Sequence, residues 1–212
     1  MDYTVYTHKY EKPLWNFKEI SRYAGVKEKF YVDEKGAHCE NIGNTDVTMK
    51  LIWECVEEAE PQLRYDVVFT TVPVNIIMPE NDIDFGFMRT HSYDLYKYLR
   101  GKKEAIIFCA TVGIGIDRLI AKYQALSPAK AVIMQAIGAE RIESLCDLFT
   151  YDVLGGCKRI PPRFSPGYGD FDIEAQRHIF TLLDPPRRIG VGLNKSLLMS
   201  PTKSVTAVVR KA

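Results

Sequence analysis

The sequence predicts one α+β domain spanning residues 1–212. Three observations carry that prediction. Apolar residues recur at helical spacing in two long stretches, they alternate or run on in several short ones, and no repeat, linker or low-complexity tract divides the chain.

Taken in chain order, Asn16-Phe17-Lys18-Glu19 has the form of a capping box: the Asn side chain accepts from the amide three residues on, and Glu19 reaches back. A short helix to Tyr23, ended by Gly25, follows. Residues 26–44 are polar, contain Gly36 and Gly43, and read as a long loop or a two-stranded excursion. Met49, Ile52, Val56 and Ala59 predict an amphipathic helix over 45–59 that stops before Pro61. Leu63, Tyr65, Val67 and Phe69 alternate as in a strand, whereas two prolines and several acidic residues make 72–87 irregular.

Ser92 to Leu99 reads as a helix closed by Gly101, and Glu104 to Ala110 as a strand buried on both faces. A glycine turn at 113–115 leads into a helix carrying Leu119, Ile120 and Tyr123. Ser127-Pro128 supplies an N-cap and a proline at the first helical position, opening the longest helix, to about Phe149. Gly155-Gly156 marks a turn. The Pro/Gly-rich loop 161–171 precedes a helix with Ile173, Gln176, Phe180 and Leu183, and two strand-like runs, 189–193 and 204–209, finish the chain.

Composition narrows the partners. With 28 Lys+Arg against 27 Asp+Glu the formal charge is +1, which argues against holding a nucleic acid by bulk electrostatics. The longest nearly apolar run, Ala105 to Ile116, is shorter than the roughly 18 to 20 residues that span a bilayer. The N-terminus has no apolar signal region, so a cytoplasmic protein with no membrane partner is expected. Five cysteines, with no CxxC pair, and four scattered histidines indicate neither a disulfide framework nor a metal site.

Gly113-Ile114-Gly115 after a buried strand invites a dinucleotide reading, but Arg118 occupies the third glycine position, and a plain glycine turn explains the segment as well. Asp117 reads as a helix N-terminal charge, and Gln135 and Glu140 in the long helix as solvated residues. The loop PPRFSPGYGDF is the most informative stretch. Its prolines leave backbone groups free of helix or sheet partners, Gly167 permits close approach, Tyr168 offers a ring face and Arg163 a planar fork for a carboxylate. On chemistry alone it is either a surface loop or a binding loop for a zwitterionic or nucleoside ligand.

At this point the sequence as a whole resembles a family. NFKEISRYAG, DLYKYLRGKKEAIIFCATVGIGIDRLIAKY, AVIMQAIGAERIESLCD, RFSPGYGDF and LNKSLLMSPTKSVTAV together resemble the activation (reactivation) domain of cobalamin-dependent methionine synthase in a stand-alone form. The most specific piece is Arg163-Phe-Ser-Pro-Gly167-Tyr168, similar to the family's RxxxGY loop for S-adenosylmethionine, with Ser196, Pro201 and Ser204 downstream. The resemblance implies a twisted, mainly antiparallel or mixed sheet flanked by helices. It implies that Arg163 holds the methionine carboxylate, the backbone at Ser165 meets the adenine, and Gly167 and Tyr168 line the cofactor cleft. Asn16 stands where the family has an Asp for the ligand's ammonium group, Asn194-Lys195 where it has Thr-Glu, and Val209 where it often has a Tyr.

By that resemblance the protein is an S-adenosylmethionine-binding reactivation subunit that supports reductive methylation of cob(II)alamin on a separate methionine synthase or related corrinoid protein. An external low-potential electron donor supplies the electron. The protein's part is to position the methyl group, and no catalytic residue is expected. The alternative is a scaffold of the same fold that docks on a corrinoid protein but has lost productive S-adenosylmethionine binding, a reading that rests on Asn16, Lys195 and Val209. A transient interface near 163–171, with Phe164, Tyr168 and Phe171 as apolar contacts, is expected in either case.

Overall fold

The computed structural model describes residues 3–25, 31–33, 36–38, 45–157 and 159–211. A four-stranded sheet lies at the centre, made of β1 (Tyr6–Lys9), β4 (Asp66–Pro73), β8 (Glu104–Thr111) and β11 (Ser204–Arg210), in the order β1-β4-β8-β11. Every pairing in it is antiparallel; Asp66, Thr111 and Ser204 stand side by side at one end of β4, β8 and β11.

Both faces of this sheet are covered, which is why β8 reads as a continuous apolar run rather than an alternating one. Ile106, Phe108 and Ala110 face a core shared with α1 (Phe17–Tyr23), α2 (Thr45–Ala59), α4 (Gly115–Leu126) and α5 (Pro128–Val153). Ala105, Ile107 and Cys109, one residue out of phase, face a second core. That core is closed by α3 (Tyr93–Leu99), α6 (Ala175–Leu183), α7 (Pro185–Ile189) and a small sheet of β5 (Asn75–Ile77), β6 (Asp82–Asp84) and β7 (Arg89–His91).

Helix boundaries follow their caps. The Ser92 side chain accepts from the Leu95 amide at the head of α3, and Ser127 from the Lys130 amide at the head of α5, with Pro128 at its first position. Gly115, the first residue of α4, lies so close to the Gln62 carbonyl that a Cβ there would fall 2.1 Å from it. The glycine turn is therefore a packing device, and its backbone approaches another chain segment rather than a nucleotide.

Three expectations are corrected. Residues 72–87 are not irregular: they extend β4 to Pro73 and form β5 and β6, whose apolar Ile83 is buried while acidic neighbours flank it on the outer side. The run 189–193 is not one strand, because Pro185 and Pro186 start the short helix α7 and only β9 (Gly192–Leu193) is extended, paired with β10 (Met199–Ser200). The N-terminal segment, to which the sequence pattern assigns no element, supplies the exposed edge strand β1. The excursion within 26–44 forms β2 (Tyr31–Asp33) and β3 (Gly36–His38) where it is described; the remainder, with Gly43, lies outside the described residues.

Candidate functional site

The predicted site residues lie on two segments far apart in sequence, the head of α1 and the 161–171 loop, which meet along one face of α5. Glu140, Glu143, Ser144 and Asp147 recur at helical spacing on that face. With Asn16, Glu19 and Tyr23 from α1 they line a pocket of about 300 Å³.

Asn16 caps α1 as expected, its Oδ1 accepting from the Glu19 amide at 3.2 Å. The reciprocal half of the capping box is absent. Glu19 instead accepts from Arg22 Nε at 2.8 Å, and the Asn16 amide donates to Glu140 Oε1 at 3.2 Å. Glu140, expected to be solvated, is 1% exposed. It is retained in the interior because Arg141, fully buried beside it, donates to both its oxygens at 2.5 Å, while the Ser144 hydroxyl donates to Oε1 at 2.6 Å. Gln135, by contrast, is exposed as expected.

The loop is placed by backbone bonds. Phe164 and Val208 exchange reciprocal amide-to-carbonyl bonds of 3.0 and 2.8 Å, so the loop adds a bridge to the outer edge of β11. Tyr98 Oη donates to the Pro162 carbonyl at 2.6 Å and its ring stacks on Phe164. Farther along, Asp170 accepts from the Ser92 hydroxyl at 2.5 Å, the Tyr93 amide at 2.7 Å and the Asp94 amide at 3.1 Å. These donors, the Ser92 hydroxyl foremost, hold its carboxyl below the usual carboxylate range. Gly169 has φ +54°, and a Cβ there would meet the Asp94 carboxylate at 2.5 Å, so this corner needs glycine.

From that frame Arg163 reaches α5. Its guanidinium donates to Glu143 Oε2 at 2.5 Å and to Asp147 Oδ1. Arg163 thus pairs with two carboxylates that line the same pocket as Asn16. Of the predicted site residues only Asn16 lines the pocket; Arg163 touches it through Glu143 and Asp147, and Ser165, Gly167 and Tyr168 are not among its lining residues. The Gly167 amide donates to the Phe171 carbonyl at 2.8 Å and the Tyr168 amide to the Ser165 carbonyl at 3.0 Å, leaving the Tyr168 ring 65% exposed. Phe171 is buried in the second core and Phe164 is half-buried, so Tyr168 is the loop aromatic that faces outward. Val209 lies on the edge strand β11, buried in the first core, and Lys195 is exposed.

The carboxylates of α5 are what the motif reading missed. Their signal was the spacing 140, 143, 147 on the longest helix, which places acids on one stripe of a helix otherwise rich in apolar residues. A larger and more open cleft of about 730 Å³ lies where β4 ends and β8 begins, lined by Thr71–Pro73, Gly101, Lys103 and Glu104. It contains none of the predicted residues and offers few convergent side chains, so the smaller pocket is the better site. Among the described residues no group of three His, Cys, Asp or Glu side chains is placed to hold a metal ion. No described helix is long and apolar enough to cross a membrane.

Fold and site together define a class: an antiparallel α+β domain with an acidic cleft between its first helix and its longest helix, two of whose carboxylates pair with an arginine of a neighbouring loop. No family model matches the chain, and no curated protein does. Among solved structures it is similar to the crystal structure of the MetH reactivation domain bound to AdoHcy, with a TM-score of 0.65. The match covers 98% of this chain and 78% of that one at 14% identity, and it establishes that the two share a fold.

Proposed function

We propose that the protein binds S-adenosylmethionine between α1, α5 and the 163–168 loop and serves a separate cobalamin-dependent methionine synthase, or a related corrinoid protein, as its reactivation subunit. The observation that carries this reading is the set of carboxylates lining the pocket, two of them paired with Arg163, in a fold shared with a domain bound to AdoHcy. Arg163 offers one planar donor, and Glu143 and Asp147 offer two carboxylates beside it. An amino-acid zwitterion is suited to such a site, because its carboxylate and ammonium groups can exchange partners with an internal ion pair. Glu143 and Asp147 also bring to the neighbourhood of Asn16 the negative charge that Asn16 lacks.

When bound, S-adenosylmethionine would supply a methyl group to the partner's reduced cobalt, leaving S-adenosylhomocysteine, with the electron supplied by an external low-potential donor. This chain's residues orient the ligand, and none needs to act as acid, base or nucleophile. The exposed Tyr168, with the exposed Ile173 lying against the neighbouring Gly167, is the apolar contact available to a corrinoid partner at this edge.

A second reading, a docking scaffold without S-adenosylmethionine, is favoured by one observation: Arg163 is already engaged by two carboxylates of its own chain. Titration calorimetry separates the two. Heat of binding with a thermal shift at millimolar S-adenosylmethionine is expected, and neither effect would leave the scaffold reading. The functional test is reductive remethylation of a cob(II)alamin synthase lacking its own reactivation domain, with S-adenosylmethionine and a low-potential donor. No acceleration over a no-protein control, with a verified cognate synthase, overturns the reactivation role.

A further inference from the structure

The largest fully buried side chain among the described residues is not aromatic or aliphatic but Arg141. Its Nη1 donates to the Pro13 carbonyl and its Nη2 to the Leu14 carbonyl, each at 2.7 Å. Its guanidinium carbon sits 3.9 Å from the centroid of the Trp15 ring, and Glu140, which neutralises it, accepts the Asn16 amide. Four consecutive residues, 13 to 16, are thus gripped by two adjacent side chains of α5. Those four residues belong to no helix or strand, so no ladder holds their backbone. Outside this grip the segment is tied by the buried Pro13, by Trp15 packing on the first core beside Phe17, by the Lys12–Glu60 ion pair on its exposed flank and by the start of α1.

We propose that Arg141 is the positioning residue of the pocket: it straps residues 13–16 onto α5, so that Asn16 is held at the pocket wall and ligand affinity depends on the strap. The inference rests on the S-adenosylmethionine reading for its ligand. A buried ion pair is commonly no more stabilising than well-packed apolar residues of the same volume, so stability alone does not account for it. What an apolar residue cannot do is hold two carbonyls and a ring at fixed positions while its neighbour takes the next amide. A lysine cannot do it either, since a single ammonium group lacks the planar fork.

The test uses the full chain with Trp53→Phe, which leaves Trp15 as the one emitter of the two tryptophans. In it, Arg141→Lys is compared with the neutral double variant Glu140→Gln/Arg141→Met, which avoids leaving a buried charge unpaired. Variants that melt cooperatively are read by acrylamide quenching of Trp15 and by calorimetry with S-adenosylmethionine. The expected result is at least twofold faster quenching together with at least tenfold weaker binding in both. Unchanged quenching overturns the strap, and faster quenching with unchanged affinity overturns the positioning role. A parent protein that binds no S-adenosylmethionine refutes the ligand reading, and the strap then stands or falls on quenching alone.

Discussion

The two segments that frame the pocket are held by opposite means. The polar anchors of residues 13–16 on α5 all run through one buried ion pair, Glu140–Arg141, which makes the bonds to Pro13, Leu14 and Asn16. The 161–171 loop is held by several independent contacts: the Phe164–Val208 bridge, the Tyr98–Pro162 bond, the Asp170 cap on α3 and the buried Phe171. A wall built on one pair is geometrically exact but fails as a unit, whereas a wall built on many contacts loses them one at a time.

The sharpest way to break this comparison is Glu140→Ala. Removing the carboxylate leaves the Arg141 guanidinium buried without its counter-ion, a change that costs about 3–5 kcal/mol. Denaturant unfolding is expected to show a loss of that order, and a loss below about 1 kcal/mol means that solvent or another group reaches Arg141. No single change to the loop's polar anchors should match it.

Next in size is Arg163→Ala, expected to weaken S-adenosylmethionine binding at least tenfold, about 1.4 kcal/mol, because the ligand carboxylate loses its charged donor. The protein should keep its unfolding midpoint within a few degrees, since the partners Glu143 and Asp147 are half-exposed and regain water. Equal affinity in the variant would show that Arg163 only staples the loop to α5.

A smaller effect concerns charge. The pocket's excess of carboxylates favours the sulfonium cation over the uncharged thioether of S-adenosylhomocysteine. Screening at exposed carboxylates limits the preference to roughly 1 kcal/mol, or about fivefold. Raising the salt concentration should narrow the ratio, and a salt-independent ratio would point to shape rather than charge.

The smallest effect separates the loop from the strap by pH. Because the Asp170 carboxyl is held below its ordinary value in the folded protein, its cap contributes above the unfolded pKa of about 3.9 and fades as pH falls through the lower folded value. Protection of the Tyr93 and Asp94 amides, measured against their intrinsic exchange rates at each pH, should therefore fall only at the acid end, and Asp170→Ala should show the lower protection already at neutral pH. Fast exchange of these amides in the unmodified protein at pH 7 would mean that Asp170 is not the cap.

Much of the fold was legible because its signals are local. Ser92, Ser127-Pro128 and Gly101 punctuate helices wherever those helices pack, and the Glu104–Thr111 run required a strand covered on both sides. The small sheet at 75–91 was hidden by its prolines and acids, because strands of three residues owe their pairing to a neighbour rather than to a pattern. Of the site, the loop and Asn16 were visible from motif likeness. Glu140, Glu143 and Asp147 were not, since acids on a helix look the same whether they face water or a guanidinium.

By itself, then, the sequence determined the six longer helices and the caps of α1, α3 and α5, the buried central strands, and the arginine, glycine and tyrosine of the loop. Tertiary structure decided which α5 carboxylates are buried, which arginine each one meets, and that Asn16, 124 residues from Glu140, shares a pocket with it. The physical reason is one of range. Caps and periodicity are set within a few residues, but the burial of a charge is set by whatever surface folds over it, and here that surface is an irregular strap without periodicity of its own.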